Sequence, residues 1–295
     1  MRRKKTNKPI SFRKRNIVHC LLFVSPWLVG AMLFFIYPLF YSLRLSFSTI
    51  VNKATQAMVF AGWENFRIAF MEDVRFFPTL LSISKDTLIN APLIVTFSLL
   101  IAILLNRDIK GKGLFRTIFF LPVILGTGFV MQQLLGVQVN DGATEVARGI
   151  LLPDKVVRFL DPRITQLIIE FLGRITIILW KSGVQIIIFL AALQTIPTSL
   201  YEAAKVDRAT DWECFWFVSL PMLAPNILIA LVYTIVASFL DISNEMLNYI
   251  HEIDFQWANI EYAAAISWLY FVFVIIVLLI VFLSLMPAVR RVKNR

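Results

Sequence analysis

Apolar residues along this chain are gathered into six runs, near 17–41, 84–105, 117–137, 165–195, 222–247 and 263–287. A helix rises about 1.5 Å per residue, so about 20 apolar residues cross the hydrocarbon of a bilayer. Each run reaches that length. Backbone polar groups in lipid must be paired within their own segment, and the runs lack the period-2 alternation of a membrane barrel. The pattern therefore predicts an all-α, polytopic membrane helix bundle of about six spans. The segments about 42–83 and 138–164 are more polar and carry Gly62, Trp63, Pro78, Asp141, Gly142 and Pro162. They read as short interfacial helices and turns.

Composition removes the soluble alternative. Of 295 residues, 58% are apolar, and the mean hydropathy is +0.74. That leaves too little polar surface to cover a water-soluble domain. The net charge of +10 would suit a nucleic-acid partner, but the basic residues sit in short segments between apolar runs, so no nucleic acid is expected. Eight Lys and Arg precede the first run, four lie in 106–116, two in 196–221 and four at the C-terminus, whereas 248–262 has none. Such asymmetry places both termini in the cytoplasm, with Trp268 and Tyr270 at the outer interface. The run 17–41 is far longer than a signal-peptide core and has no small-residue cleavage pattern after it, so it reads as an uncleaved first span. The organisation is then a basic cytoplasmic tail, 1–16, and a transmembrane domain, 17–295, with core spans over about 84–287.

Catalytic signatures are missing. The sequence holds no G-x-x-x-x-G-K-[ST] and no G-x-S-x-G, and His251-Glu252 lacks the second His of a zinc protease motif. Two histidines and the unpaired Cys20 and Cys214 offer no metal set. No cofactor, metal or enzymatic chemistry is expected. Asp241 and Glu245 come nearest to a cluster, and at the outer end of the fifth run they read as solvated charge.

The most informative stretch is the loop 196–221. Pro197 stops the fourth run. Ser199 with Glu202, and Thr210 with Glu213, each read as a capping box. Two such boxes predict two short helices joined by a turn at Asp207–Ala209, with Pro221 in the first turn of the next helix. Here the pattern Glu202-Ala203-Ala204, then Asp207 and Ala209, then Phe215, Leu220 and Pro221, resembles the EAA loop of ABC importer permeases. Arg208 stands where that family usually has Gly, the residue that eases a left-handed turn. Ser25-Pro26, Tyr37-Pro38 through Ser46-Phe47, Lys110–Pro122 and Trp180–Pro197 also resemble permeases of the sugar type, and 222–250 is similar to the branch handling oligosaccharides and polysaccharide fragments.

The resemblance implies the type I ABC importer permease fold and the transport of a sugar or oligosaccharide across the cytoplasmic (inner) membrane of a bacterium. It implies that the loop docks on two separate ATPase subunits, which bind the ATP. It further implies a second permease, as a heterodimer, and an extracytoplasmic solute-binding protein. Two other classes stay open: an ion-coupled secondary transporter, and a membrane scaffold or enzyme acting on lipid-linked sugars.

Polar residues inside spans usually face the bundle interior. In the fourth run, Arg174, Lys181 and Gln185 lie at offsets of seven and eleven and so share one helical face. Tyr233 and Asn244 share a stripe with Asn226, Ala230 and Ala237. With Asn90, Gln132 and Gln133, these are candidates to line a pathway, set against the plainer reading of helix–helix contacts, which small residues such as Ala230 and Ala237 favour.

Overall fold

The computed structural model describes residues 12–52, 57–106, 113, 117, 162–241 and 243–293. The run near 117–137, with Gln132 and Gln133, lies outside them apart from position 117. Among the described residues, four helices are long and apolar enough to span a membrane, and a fifth span arises if one bent pair counts as a single crossing. The chain divides into two compact units, Met1–Glu72 with Ile253–Trp268, and Asp73–Glu252 with Leu269–Arg295.

In the first unit, helix α1 (Phe12–Ala31) continues through one widened turn at Met32–Ile36 into α2 (Tyr37–Ser46). None of the most apolar window of Cys20–Ser46 is buried, so lipid or another protein must cover it. The segment 42–83 departs from the expected helices and turns. It holds an antiparallel hairpin of β1 (Ser48–Asn52) and β2 (Ala57–Phe60), followed by α3 (Glu64–Met71). The buried Asn65 amide donates to the Ser46 and Ser48 carbonyls, both at 3.0 Å, and so fixes where the hairpin leaves α2. Phe47, Trp63 and Phe66 pack ring against ring beside it.

The second unit is built on α4 (Phe76–Asn106), α5 (Pro162–Lys181), α6 (Gly183–Gln194), α7 (Thr198–Val206), α8 (Asp211–Cys214), α9 (Leu220–Phe239) and α10 (Glu245–His251). The last helix, α11 (Ile260–Lys293), contributes to both units. α4 begins at Phe76 rather than near 84, because the Asp73 carboxylate accepts from the backbone N–H of Arg75 and Phe76 and starts the helix outside the apolar run. Val95, Leu99 and Ala102 recur at helical spacing and pack with Phe189, Leu193, Leu223 and Ala230 into one apolar core. Ala230 is the small-residue contact the sequence suggested, whereas Ala237 is exposed.

Two runs depart from single straight spans. The run 165–195 is bent by 53° between α5 and α6. At the break, Gln185 takes over part of the backbone pairing: its amide nitrogen faces the Lys181 carbonyl at 2.8 Å, and its oxygen accepts from the Thr234 hydroxyl at 2.8 Å. The run 222–247 ends as a helix at Phe239. Asn244 then caps α10, accepting from the N–H of Met246 and Leu247. Tyr270 is buried and donates to the Phe239 carbonyl at 2.8 Å, so it is a packing residue rather than part of an interfacial belt.

A polar cluster joins α10 to the start of α4. The Arg75 guanidinium pairs with both Glu252 oxygens at 3.2 and 3.1 Å and lies 4.6 Å from the centre of the Tyr249 ring. The Tyr249 hydroxyl donates to Asp73 at 2.7 Å. The bond to Glu252 holds Arg75 above its ordinary range, and burial with the Asp73 bond pushes the Tyr249 hydroxyl up.

Candidate functional site

The loop 196–221 folds as two short helices, as its sequence predicts, but the first begins differently. α7 starts at Thr198 with Pro197 at its cap position, and no side chain caps it. Ser199 lies inside the helix, so the Ser199–Glu202 capping box does not form. The Thr210–Glu213 box does: the Glu213 N–H donates to Thr210 Oγ1 at 3.3 Å, and the Thr210 N–H donates to the Glu213 carboxylate at 2.7 Å.

The turn between them closes α7 by two backbone bonds. The Ala209 N–H donates to the Ala204 carbonyl at 2.9 Å, and the Arg208 N–H donates to the Lys205 carbonyl at 3.0 Å. This is a Schellman closure, which places one residue in the left-handed region, usually Gly. That residue is Arg208, at φ +61°. The turn keeps the geometry a glycine would give, and Arg208 adopts it at a steric cost.

One side of α7 is anchored. Tyr201 packs against the apolar core, and its hydroxyl lies 2.9 Å from Ser219 Oγ at the start of α9. The other side is open: Glu202, Ala203, Asp207 and Arg208 are exposed. Val206 and Trp212 stand beside them at 82% and 68% exposure, too apolar to be left to water without a partner. Sequence reasoning passed over both, although a Val and a Trp beside charged residues in the loop were the available signal. Of the other loop residues, Ala204, Ala209, Phe215, Leu220 and Pro221 are half-buried and form the base of the hook.

At the end of α9 remote from this hook, α4, α5, α9 and α10 line a half-open cavity of about 140 Å³. Asn90, Lys181 and Asn244, three of the pathway candidates, border it together with Thr87, Asp241 and Ser243. The Lys181 ammonium pairs with the Asp241 carboxylate at 2.6 Å. Asp241 is therefore not a freely solvated charge: it also accepts from Ser243, which fixes the turn after α9.

No family model matches the chain. The probable ABC transporter permease protein YesP of Bacillus subtilis is 29% identical over 296 residues, 93% of this chain and 92% of YesP. The multiple sugar-binding transport system permease protein MsmF of Streptococcus mutans is 31% identical over 205 residues, 68% of this chain and 67% of MsmF. The chain belongs to the permease family of ABC transporters. The fold agrees. A chain in the crystal structure of a bacterial alginate ABC transporter, in complex with an alginate pentasaccharide-bound periplasmic protein, matches with a TM-score of 0.62 at 18% identity, over 91% of this chain and 93% of that one.

As an ABC transporter permease the chain is a multi-pass transport subunit from a non-enzyme family. Of this permease's pathway candidates, Gln185 is 1% exposed and is spent on the helix break, away from the cavity. Its side chain turns to the Lys181 carbonyl and to Thr234 on α9, whereas the Lys181 side chain reaches Asp241 just past α9 and borders the cavity. Asn244 borders the cavity but is committed elsewhere: besides capping α10, its amide donates to the Tyr270 hydroxyl at 2.9 Å. Tyr233 is exposed on another face of α9.

Proposed function

We propose that this permease carries a sugar or oligosaccharide across the cytoplasmic membrane of a bacterium, both termini in the cytoplasm, with the 196–221 hook docked on separate ATPase subunits that bind the ATP. The observation that carries this reading is the two-faced hook. Tyr201 and Ser219 tie it to the membrane helices, while Glu202, Ala203, Val206, Asp207 and Arg208 face outward. A rigid element fixed on one side and unpartnered on the other suits transmission of movement between two bodies. The lysine and arginine asymmetry supports the orientation.

A second permease pairs with this one as a heterodimer, and an extracytoplasmic binding protein delivers the substrate. The alginate pentasaccharide-bound periplasmic protein in the alginate transporter crystal structure supports the binding protein, and the sugar named for MsmF supports the substrate class. Asn90 and Lys181 line the pathway. Closure of the ATPases on ATP draws the hooks together and turns the pathway outward, and hydrolysis resets it, so each hook biases a two-state element.

The test is affinity co-purification from native membranes, followed by ATP-dependent sugar uptake in proteoliposomes. Recovery of a second permease and an ATPase, lost on Glu202→Lys while the chain still inserts, is the expected result. A chain that transports alone, without any ATPase, overturns the reading in favour of a secondary transporter.

A further inference from the structure

The cavity between α4, α5, α9 and α10 is unbalanced in charge. Among the described residues, three carboxylates border it, Asp86, Asp241 and Glu245, against the ammonium of Lys181. Lys181 and Asp241 offset each other in their ion pair. Among the described residues, Asp86 and Glu245 have no ion-pair partner, so two negative charges remain on the wall. The other polar groups there are neutral. Asn90 is one of them, and its Oδ1 is buried with no hydrogen-bond partner.

Such a wall suits hydroxyl-rich ligands. Carboxylate oxygens accept from sugar hydroxyls, and Thr87 and Ser243 offer hydroxyl groups of their own. A concave site with low-dielectric sides concentrates the field of its charges on whatever enters. A saccharide carboxylate would meet two like charges, while Lys181, the cation among the described lining residues, is already paired.

We infer that this cavity selects on charge: it accepts neutral or amino-bearing saccharides and repels those bearing carboxylates, such as uronates. The inference rests on the reading of the cavity as part of a sugar pathway.

The test uses the assembled transporter with Cys20 and Cys214 replaced by Ser and one cysteine placed in the wall, Ser243→Cys, or Thr87→Cys if the first fails to assemble. Its rate of modification is measured with a trimethylammonium and a sulfonate methanethiosulfonate, each relative to a free thiol. The cationic reagent is expected to be favoured about tenfold or more. Asp86→Asn with Glu245→Gln should bring the ratio to within about twofold of the free thiol. Millimolar neutral oligosaccharide, but not oligouronate of equal length, should slow modification in the absence of binding protein. A ratio equal to that of the free thiol, or one unmoved by the neutralising pair, overturns charge selection. If ATP drives no sugar uptake and no saccharide protects, the sugar-import reading itself fails. Uptake with a free-thiol ratio sinks the charge inference alone.

Discussion

Lys181, the last residue of α5, reaches Asp241, just past the end of α9, at 2.6 Å. The pair joins the two polypeptide breaks that shape the cavity: the bend after Lys181 and the turn after Phe239. A lysine at a helix C-terminus also lies where the helix dipole favours positive charge.

The pair is neither fully exposed nor fully buried, so its worth lies between the two limits. Removing one partner leaves the other charged and half-buried, and Asp241→Asn or Lys181→Met alone should cost on the order of 1–3 kcal/mol. The double variant should recover part of that loss. Thermal unfolding of the four proteins of the cycle gives the coupling energy, and strict additivity would mean the pair contributes nothing.

Arg208 sits at φ +61° in the Schellman closure of α7. Arg208→Gly removes the steric cost and should stabilise the hook by about 1 kcal/mol, whereas Arg208→Val should destabilise it. Amide hydrogen exchange across Thr198–Cys214 reads both effects. Faster exchange in the glycine variant would show that the arginine side chain, not the backbone conformation, holds the turn.

Thr210 and Glu213 cap α8 reciprocally. Thr210→Ala should cost about 1 kcal/mol of local stability, and Thr210→Ser much less. If the hook transmits movement, the alanine variant should also lower transport per ATP hydrolysed, and the serine variant should restore it. Equal coupling in both would separate the cap from transmission.

Asn244 is a cap and a bridge to Tyr270 before it is anything else. Asn244→Ala leaves buried partners unpaired and should lower stability by about 2 kcal/mol. Asn90 borders the cavity, and Asn90→Ala removes no hydrogen bond from Asn90 Oδ1. It should change the KM for sugar with little effect on thermal unfolding. The reverse pattern, a destabilised Asn90 variant with unchanged KM, would exchange their roles.

The amino-acid sequence alone determined the membrane as solvent, the helical class, the two-helix hook and the absence of familiar catalytic signatures. All of these follow from local pattern: apolar run length, charge in the connecting segments, and turn and cap chemistry within a few residues. What it misjudged depends on contacts between distant residues. The Ser199 box is the local exception: it failed because Pro197 already holds the cap position of α7, two residues early. Gln185 and Lys181 both reach toward α9 and the turn after it, but Gln185 is spent in the core on Thr234 while Lys181 borders the cavity beside Asp241. Asp241 looked solvated until the fold brought Lys181 beside it. Run length and helical period are properties of one segment and can be read from it, whereas bends, ion pairs and buried amides are decided by which other segment arrives alongside. Only the tertiary structure decides that.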